Sequence, residues 1–410
     1  MINLELSEQH AASEKMMREV AKNLFRPISR KYDVQEHAVP VELKLLDRRP
    51  PPAPVKPAEA KSKPATAAPP PEKKERKKPD TVQNGSNMAS VVSVMQMCWG
   101  DVGLMLSVPG AGLGNAAIAA VATAEQKERF GRVYAAMAIT EPASGSDSGS
   151  ISTTARLEGD EWVLNGEKIF VTAGGRCDSV VVWATLDKHK GKAAIKSFVV
   201  PKGTPGMEVV KLEHKLGIRA SDTATILLTN CRIPKDNILG SPDIHEGDKR
   251  AAFGQVMQTF DNTRPAVAAM AIGCGRAALD LTEELLEKEG VKLDFDKPLW
   301  EMSALQAELV RMEADWDAAR LLVLRAAWMA DNGEPNSLEA SMCKAKAGRV
   351  GNYITLRCVE LCGSVGYGQQ ELLEKWARDS KILDIFEGTQ QIQQLIVARR
   401  ILNKSSAELK

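Results

Sequence analysis

The chain has 410 residues, which is enough to bury a large core in two or three domains. Its 54 Lys and Arg residues nearly balance its 53 Asp and Glu residues, so no overall field favours nucleic acid or an anionic membrane. No apolar run approaches the roughly 18 residues that a membrane span requires. The N-terminus has early acids and resembles neither a secretory signal nor a transit peptide, which predicts a cytoplasmic protein or an already matured chain.

The seven cysteines are scattered, odd in number and without a metal-ligand pattern. Only Cys358 and Cys362 lie close together, at helical i, i+4 spacing and with no His nearby. This spacing favours buried, reduced thiols. The sequence therefore predicts neither a disulfide framework nor a metal site.

The first 134 residues predict an N-terminal helical domain with one interruption. Residues 7–46 have few helix breakers before Pro27, and apolar residues recur every four positions. Residues 48–86 are then dominated by Pro, Ala and Lys and offer almost nothing to bury. Such a segment cannot offset its ordering entropy and is predicted to be disordered and polyproline-rich. A docking arm for an acidic partner surface is the alternative.

Helical character resumes over residues 87–98 and is followed by Gly110, Gly112 and Gly114. These glycines do not form a dinucleotide-binding fingerprint, because no strand precedes them and no suitably placed acid follows. Close packing between helices is the favoured interpretation, and a glycine wall facing a ligand is the alternative.

From residue 135 the pattern changes to strands and predicts a β-sheet or barrel domain over residues 135–243. Asn165-Gly166, between residues 161–164 and 167–172, predicts a tight hairpin because Asn-Gly adopts the positive φ angles of such turns. Further short strands are expected at 180–184, 197–200 and 225–228.

After residue 244 long helical patterns return, at 251–288, 302–331, 339–362 and 389–402. They predict a C-terminal four-helix bundle over residues 244–410. The expected fold class is α+β: an N-terminal all-α domain, a central β domain and a C-terminal four-helix bundle. Helices, then strands, then helices argue against alternating βαβ units.

Glu387 lies between Phe386 and Gly388, just before a helix on which Ile392, Leu395 and Ile396 share one face. Burial beside apolar surface disfavours the charged form of a carboxylate and raises its pKa, which suits a base that removes a proton from carbon near neutral pH. An ordinary residue at the start of a helix would show the same local sequence.

Four segments taken together resemble the acyl-CoA dehydrogenase family: residues 138–147, 165–172, 261–265 and 378–389. The resemblance covers roughly residues 120–280 and 335–402, and the order of domains also matches. It implies an FAD-dependent oxidoreductase that removes the α proton of an acyl-CoA thioester while the β hydrogen leaves as hydride to flavin N5, giving a 2,3-enoyl-CoA. It also implies electron-transferring flavoprotein as a partner and a homo- or hetero-oligomer.

The resemblance implies Glu387 as the catalytic base, with its backbone N–H helping to hold the thioester carbonyl. A branch of the family places its base near residues 263–265, but Thr263 cannot take that role. The implied cofactor-binding residues are Ile139, Thr140, Phe170, Thr172, Gly363, Thr389 and Gln391. Phe170 stands where many relatives carry Trp against the flavin. The implied substrate-binding residues are Ser146, Asp261, Arg264 and Gly388.

Each of these assignments has a structural alternative. The strand residues would be ordinary core positions of a β domain, and Arg264 would be a surface ion-pair residue. For the chain as a whole, an acyl-CoA-binding scaffolding subunit without catalysis and an acyl-CoA oxidase are the alternative functions.

Two departures from the family pattern are visible near the expected dinucleotide. Glu360 replaces a Gln and Ser364 replaces a glycine, and an unneutralised carboxylate beside a pyrophosphate would be unfavourable. Residues 288–298 lack the Arg that in relatives reaches the neighbouring subunit's FAD, and they carry Asp294 and Asp296 instead. These departures predict a catalytic subunit whose partner, a second dehydrogenase-like chain, supplies the missing Arg.

Overall fold

The computed structural model describes residues 2–47, 84–110, 112–244, 251–405 and 408, and along 251–262 it describes the backbone helix alone. The predicted disordered segment, residues 48–86, lies outside these ranges except for its last three residues. Asn84 Nδ2 donates a 2.6 Å hydrogen bond to the Glu5 carbonyl, and a helix begins at Ser86. The upper boundary predicted for the segment was therefore too late.

The N-terminal helices are α1 (Glu8–Val20), which continues through a π-helical turn (Ala21–Phe25), and α2 (Arg26–Val34). Ser7 caps α1 by accepting from the His10 backbone N–H. The helical character predicted for residues 7–46 is present as far as Val34, where the α-helix ends, and His37 then has a left-handed backbone with φ of 69°. A 3-10 helix follows at Val41–Leu46.

Four more helices complete this part of the chain: α3 (Ser86–Gly100), α4 (Val102–Met105), α5 (Leu113–Val121) and α6 (Ala124–Phe130). A Cβ added at Gly114 would lie 2.3 Å from the Ala136 carbonyl oxygen, and one at Gly112 would lie 2.4 Å from that of Ala135. These two glycines therefore allow α5 to approach a strand. The predicted close packing is present, but against strand backbone instead of another helix.

Seven strands form one sheet: β1 (Ala135–Ala138), β2 (Thr154–Glu158), β3 (Glu161–Thr172), β4 (Ser179–Thr185), β5 (Ile195–Pro201), β6 (Met207–Leu212) and β7 (Thr223–Pro234). Their order is β1-β4-β2-β3-β7-β6, with β5 paired to β4. The β1–β4 and β2–β4 pairs are parallel and the other pairs are antiparallel. The predicted β domain is confirmed as a mixed sheet.

The predicted hairpin at Asn165-Gly166 was wrong, because β3 runs straight through both residues and the β2–β3 turn uses Gly159, with φ of 61°. Gly166 instead marks a shift in register between β3 and β7. A Cβ there would lie 2.4 Å from Thr153 Oγ1, so the glycine is required for the close approach of the neighbouring strand segment.

The C-terminal helices are α7 (Ala251–Lys288), α8 (Ala304–Asp331), α9 (Ser337–Leu361), α10 (Gly363–Tyr367), α11 (Leu373–Ser380) and α12 (Gln390–Leu402). The four long helices confirm the predicted bundle. Helix α9 packs against α7, α8 and α12, and α3 packs on α7 and α8, so the N-terminal helices share the bundle core.

Helix α11, which precedes Glu387 in the chain, is hydrogen-bonded to the loop between β6 and β7. The Asp379 carboxylate accepts a hydrogen bond from the Ile218 backbone N–H, and Arg378 Nη1 donates to the Leu216 carbonyl at 2.9 Å. Gly217 fits between them, because a Cβ there would lie 2.4 Å from the Arg378 backbone. These contacts fix the β6–β7 connection against the segment that leads to Glu387.

Among the described residues all seven cysteines are free thiols. Six are buried, including Cys358 as predicted, whereas Cys362, which was also predicted to be buried, is only partly buried. Within the same ranges, no helix combines the length and the apolar character needed to cross a membrane.

Candidate active site

Glu387 lies in a turn between a 3-10 helix (Lys381–Asp384) and α12. Its backbone is left-handed with φ of 55°, and Gly388 follows with φ of 95°. A left-handed conformation is uncommon for a residue with a Cβ and is found at functional sites that the surrounding structure holds in place. Thr389 caps α12 by accepting from the Ile392 backbone N–H.

The Glu387 carboxylate is partly buried and faces α7, where Thr263 Oγ1 donates a 2.9 Å hydrogen bond to its Oε2. Burial raises the pKa of Glu387, because desolvation disfavours the charged form. The Thr263 hydrogen bond and the charges of Arg264 and Lys344 act in the opposite direction and only partly offset burial. The carboxyl is therefore tuned toward the range of a general base.

The Gly388 carbonyl is held by two buried side chains. Lys344 Nζ, from α9, donates to it at 2.7 Å, and Gln393 Nε2, from α12, donates at 3.1 Å and also contacts the Glu387 carbonyl at 3.2 Å. Burial lowers the pKa of Lys344 to about 8, although Asp384 and Glu387 favour its charged form. These bonds fix the Glu387–Gly388 and Gly388–Thr389 peptide groups.

Sequence reasoning missed Lys344 and Gln393. Lys344 offered a weak signal, as a charged residue within a stretch of small and apolar residues in a helix predicted to be packed. Gln393 offered none, because the predicted apolar face of α12 pointed to Ile392, Leu395 and Ile396. In the structure Gln393 is the fully buried residue of α12, and Leu395 is 43% exposed.

Arg264 is almost completely buried, with its Nη1 3.5 Å from Ser341 Oγ. The surface ion-pair interpretation is therefore wrong. Its charge lowers the pKa of both Glu387 and Lys344, which places it beside the carboxylate. The side chain of Asp261, predicted to act with Arg264, lies outside the described residues.

The residues predicted to bind the flavin ring lie in two neighbouring segments, the stretch just after β1 and the last part of β3. The Ile169 backbone N–H donates to the Thr140 carbonyl at 2.9 Å, which joins the two segments. Phe170 has a left-handed backbone with φ of 57° and is 61% exposed. An exposed aromatic ring on a strand held in this conformation offers a face for a flat ligand. Ile139 and Thr140, which follow β1, and Thr172, two positions after Phe170 on β3, are partly buried.

A buried ion pair between Lys168 of β3 and Glu141 holds the segment that follows β1 against β3. Lys168 Nζ donates to the Ile139 carbonyl at 2.9 Å and to Glu141 Oε1 at 2.7 Å. Glu141 also accepts from the backbone N–H groups and hydroxyls of Ser152 and Thr153. Burial alone would raise the pKa of Glu141, but the Lys168 and Thr153 bonds and the Lys168 charge outweigh it and lower the pKa to about 2. Glu141 and Lys168 both lie in the segments that carry the family resemblance, but the sequence did not predict that they form a buried ion pair.

The remaining predicted residues are dispersed. Ser146 lies exposed in the connection between β1 and β2, and Gln391 is exposed on the first turn of α12. Gly363 has a left-handed backbone with φ of 54° at the start of α10. Glu360 is not left as a free charge, because it pairs with Arg357, which also pairs with Glu308.

The three-part architecture, with a carboxylate at the start of the last helix and an exposed aromatic on the sheet, is that of a flavin-dependent oxidoreductase. Family models confirm this: residues 136–231 match the acyl-CoA dehydrogenase middle domain and residues 253–402 match the acyl-CoA dehydrogenase C-terminal domain. The chain belongs to the acyl-CoA dehydrogenase family, whose members are FAD-dependent oxidoreductases acting on CH–CH groups.

Two relatives illustrate the similarity. The chain is 37% identical over 286 residues to the mitochondrial short-chain specific acyl-CoA dehydrogenase of Mus musculus, covering 68% of this chain and 67% of the relative. It is 36% identical over 290 residues to the acryloyl-CoA reductase (NADH) of Anaerotignum propionicum, covering 69% and 71%. Matches to the mammalian short-chain enzymes span 62–67% of their length.

The fold is likewise similar to solved structures. Butyryl-CoA dehydrogenase from Megasphaera elsdenii superimposes with a TM-score of 0.80 and 27% identity, covering 98% of this chain and all of that chain. The expected α+β architecture is therefore confirmed, with its mixed sheet between N-terminal and C-terminal helices.

Proposed function

We propose that the chain is an acyl-CoA dehydrogenase in which Glu387 removes the α proton of an acyl-CoA thioester, giving a 2,3-enoyl-CoA. The observation that carries this proposal is the Glu387 carboxylate itself. It has a raised pKa, a left-handed backbone and a hydroxyl donor, Thr263, in a chain of this family. A base with a pKa nearer neutral pH accepts a proton from carbon more effectively than an exposed carboxylate does.

The residues around Glu387 have complementary roles in this proposal. Thr263 orients the carboxylate, while Lys344 and Gln393 hold the carbonyls of the two peptide groups that follow the Glu387 Cα. The Glu387 backbone N–H, which belongs to the preceding Phe386–Glu387 peptide group, then donates to the thioester oxygen, where negative charge develops as the α proton leaves. A donor that is already oriented stabilises that charge without reorganisation.

The chain's residues fit FAD on the sheet side. Phe170 presents the exposed aromatic face, Ile139 and Thr140 offer backbone and hydroxyl groups, and Thr172 follows on the same strand. When bound, FAD supplies the oxidant that accepts the β hydrogen with its electron pair. Gly363, Thr389 and Gln391 are assigned to the dinucleotide end. The Glu360–Arg357 pair supports this assignment, because it removes the unneutralised charge expected there.

Ser146, Asp261, Arg264 and Gly388 are assigned to the acyl-CoA substrate. Of these, Arg264 and Gly388 lie at the Glu387 end of the site, and Ser146 lies on an exposed loop. The burial of Arg264 supports an electrostatic role near the reacting thioester.

We assign the chain to an oligomer, and two features of residues 289–303 support this. Phe295, Leu299 and Trp300 are exposed there, with Trp300 at 84%. The segment also lacks an Arg of its own, so an Arg that contacts the FAD pyrophosphate would have to come from another chain. Lys292 is an exposed cation within the segment. A second dehydrogenase-like chain that supplies an Arg to the FAD pyrophosphate remains our prediction, as does electron-transferring flavoprotein as the electron acceptor.

The similarity to an acryloyl-CoA reductase supports a second candidate, in which the same site works in the reverse direction and reduces an enoyl-CoA. The base would then return its proton to the α carbon. The two directions use the same carboxyl and differ in the electron donor or acceptor that the chain accepts.

The decisive experiment uses the purified full-length protein. A yellow flavin spectrum that bleaches anaerobically with acyl-CoA thioesters, and recovers with enoyl-CoA, is expected for an active enzyme. Glu387→Gln should fold and retain flavin, but its rate of flavin bleaching should fall by several orders of magnitude. Glu125→Gln, at an exposed position of α6, should bleach at the wild-type rate.

Other outcomes identify the alternatives. A colourless protein that binds acyl-CoA would identify a scaffolding subunit, and rapid reoxidation of the bleached flavin by oxygen would identify an oxidase. A flavin-saturated, active homo-oligomer made from this chain alone would contradict the Arg-donating partner. Retained bleaching in folded Glu387→Gln would contradict the assigned base. A panel of thioesters of different length and branching would define the substrate.

A further inference from the structure

Three metal-ligating side chains meet away from the residues assigned to FAD and acyl-CoA. Glu36 and His37 lie in the turn after α2, and His214 lies in the loop after β6. One potential ligand atom from each lies within 4.8 Å of the others. Glu36 and His214 are 178 positions apart, so this group has no spacing pattern in the sequence, and the prediction of no metal site rested on the cysteine spacing.

His37 is the unusual member of this group. Among the described residues, neither of its two buried ring nitrogens has a hydrogen-bond partner, and its backbone is left-handed with φ of 69°. Its ring lies 4.9 Å from that of His214, centroid to centroid. Buried polar groups are normally satisfied, so an imidazole with two unpartnered nitrogens needs an explanation. A bound ion would provide a partner for one of them.

The backbone that carries the ligands is fixed from the sheet side. Arg176 Nη2 donates to the carbonyls of His37 and Ala38 at 3.3 and 2.9 Å. The Lys215 backbone N–H donates to Glu36 Oε1 at 2.8 Å, which leaves Oε2 facing His214 Nδ1 at 2.8 Å. The turn and the loop therefore already face each other. Zinc–ligand distances of about 2.0–2.2 Å place the ligand atoms of a tetrahedral site roughly 3.3 Å apart, so separations of up to 4.8 Å require only a small inward movement of these side chains.

Nearby charges limit the affinity. Arg219 Nε lies 3.8 Å from Glu36 Oε2 and competes for the carboxylate. Arg176 is paired with Asp222 at 3.3 Å, and Lys215 Nζ donates to the Ser221 carbonyl at 2.8 Å. One carboxylate among these cations does not suit Ca²⁺ or Mg²⁺, which prefer several oxygen ligands. Two imidazoles and one carboxylate suit Zn²⁺ and its neighbours Co²⁺ and Ni²⁺.

We propose that Glu36, His37 and His214 bind a divalent transition metal of the Zn²⁺ class, with a fourth position open to water. The ion joins the end of the N-terminal helical pair to the β6–β7 connection, which itself contacts the segment ahead of Glu387. It is a structural site that adds a link between the helical region and the sheet. The proposal does not depend on the reaction assigned to Glu387.

Titration calorimetry with ZnCl₂ on the chelator-treated, full-length protein tests this directly. Wild type is expected to bind one equivalent with micromolar affinity, and Co²⁺ in its place should give visible absorption bands. His37→Ala and His214→Ala should each weaken binding at least tenfold and remove the Co²⁺ bands. His189→Ala, an exposed histidine between β4 and β5, should match wild type.

Thermal unfolding gives a second measurement. Zn²⁺ should raise the Tm of wild type and His189→Ala but not that of His214→Ala, because an ion stabilises only the folded state that binds it. His214 is exposed, so its substitution should leave the fold intact even if His37→Ala does not fold. No stoichiometric binding in wild type, or binding unchanged in His214→Ala, would overturn the proposal.

Discussion

The Thr263 hydroxyl donates a 2.9 Å hydrogen bond to Oε2 of Glu387 and so joins α7 to the turn ahead of α12. The two residues are 124 positions apart. Burial raises the pKa of the Glu387 carboxyl, and the hydrogen bond from Thr263 acts in the opposite direction and lowers it. Thr263 on α7 thus donates to the carboxylate that we propose as the catalytic base.

Thr263→Val should remove this donor and raise the pKa of Glu387 further. The base is active when deprotonated, so the acid limb of the kcat/KM profile should move to higher pH. Loss of a hydrogen bond to a charged group costs about 1.5–3 kcal/mol, which corresponds to a roughly tenfold to hundredfold fall in kcat/KM near neutral pH. The measurement is the pH dependence of anaerobic flavin reduction.

Thr263→Ser is the matched control because it keeps the hydroxyl. It should retain most of the wild-type profile. If Thr263→Val and Thr263→Ser gave the same acid limb as wild type, the hydrogen bond would have no influence on the base.

Lys344→Met should affect both stability and the pH profile. It removes the donor to the Gly388 carbonyl, and a buried group that loses a partner costs about 1–3 kcal/mol. It also removes a charge that lowers the pKa of Glu387, so the acid limb should again move to higher pH. The pKa of Lys344 is about 8, so its charge exerts this effect in wild type only below that pH.

Lys346→Met provides the comparison, since Lys346 lies on the same helix but is paired with Asp315 at the surface. Lys344→Met should have the lower free energy of unfolding in urea, and its kcat/KM profile should have an acid limb at higher pH than that of Lys346→Met. Equal stability and equal profiles for Lys344→Met and Lys346→Met would rule out the proposed positioning role of Lys344.

The sequence predicted the long elements because these depend on local patterns, and the four bundle helices follow apolar periodicity. The assignment of Glu387 as the base stays a prediction, which rests on the match of four separate segments to one family. The Asn165-Gly166 hairpin failed because the same dipeptide can serve a tight turn or a register shift within a strand. Contact with Thr153 made the difference, and that contact is not local in sequence.

The supporting residues of the site were harder to predict for the same reason. Lys344, Gln393 and the Glu141–Lys168 pair act through partners on other elements, so their roles appear only when the elements are packed. The Glu36, His37 and His214 group is the extreme case, because its members come from a turn and a loop that no sequence pattern connects.

Lys168→Met should destabilise the protein by about 3–5 kcal/mol, because it leaves the buried Glu141 carboxylate without its cation. The double variant Glu141→Gln with Lys168→Met should recover part of this loss, since no unpaired charge remains. Free energies of unfolding from urea titrations of wild type, both single variants and the double variant give the coupling between the two residues. Additive losses would contradict the ion pair.

The same pair predicts how stability depends on pH. The pKa of Glu141 is lowered to about 2 from an ordinary value of 4.5. A lowered carboxyl pKa stabilises the fold fully above the unfolded value, and this contribution is lost as pH falls from about 4.5 toward 2. Wild type should therefore lose more stability than Glu141→Gln over this interval, as measured by urea unfolding at stepped pH. Parallel curves for the two proteins would contradict the lowered pKa.

Phe170→Ala should weaken flavin binding without destabilising the fold. The ring is 61% exposed and therefore contributes little to the core, but its face is available for stacking against a flat ligand. Aromatic pairs contribute about 0.5–1.5 kcal/mol beyond the area they bury, which corresponds to a roughly twofold to tenfold rise in the Kd for FAD. Fluorescence titration of the apoprotein with FAD measures this, and urea unfolding checks the fold.

Phe170→Trp should bind FAD at least as tightly as wild type, because it keeps an aromatic face and adds an indole N–H. Leu157→Ala is the control for the loss of an exposed apolar side chain on the same sheet, since Leu157 on β2 is 50% exposed. It should leave the Kd for FAD unchanged. A Kd that rises equally in Phe170→Ala and Leu157→Ala, or that does not rise in either, would mean that the flavin does not contact Phe170.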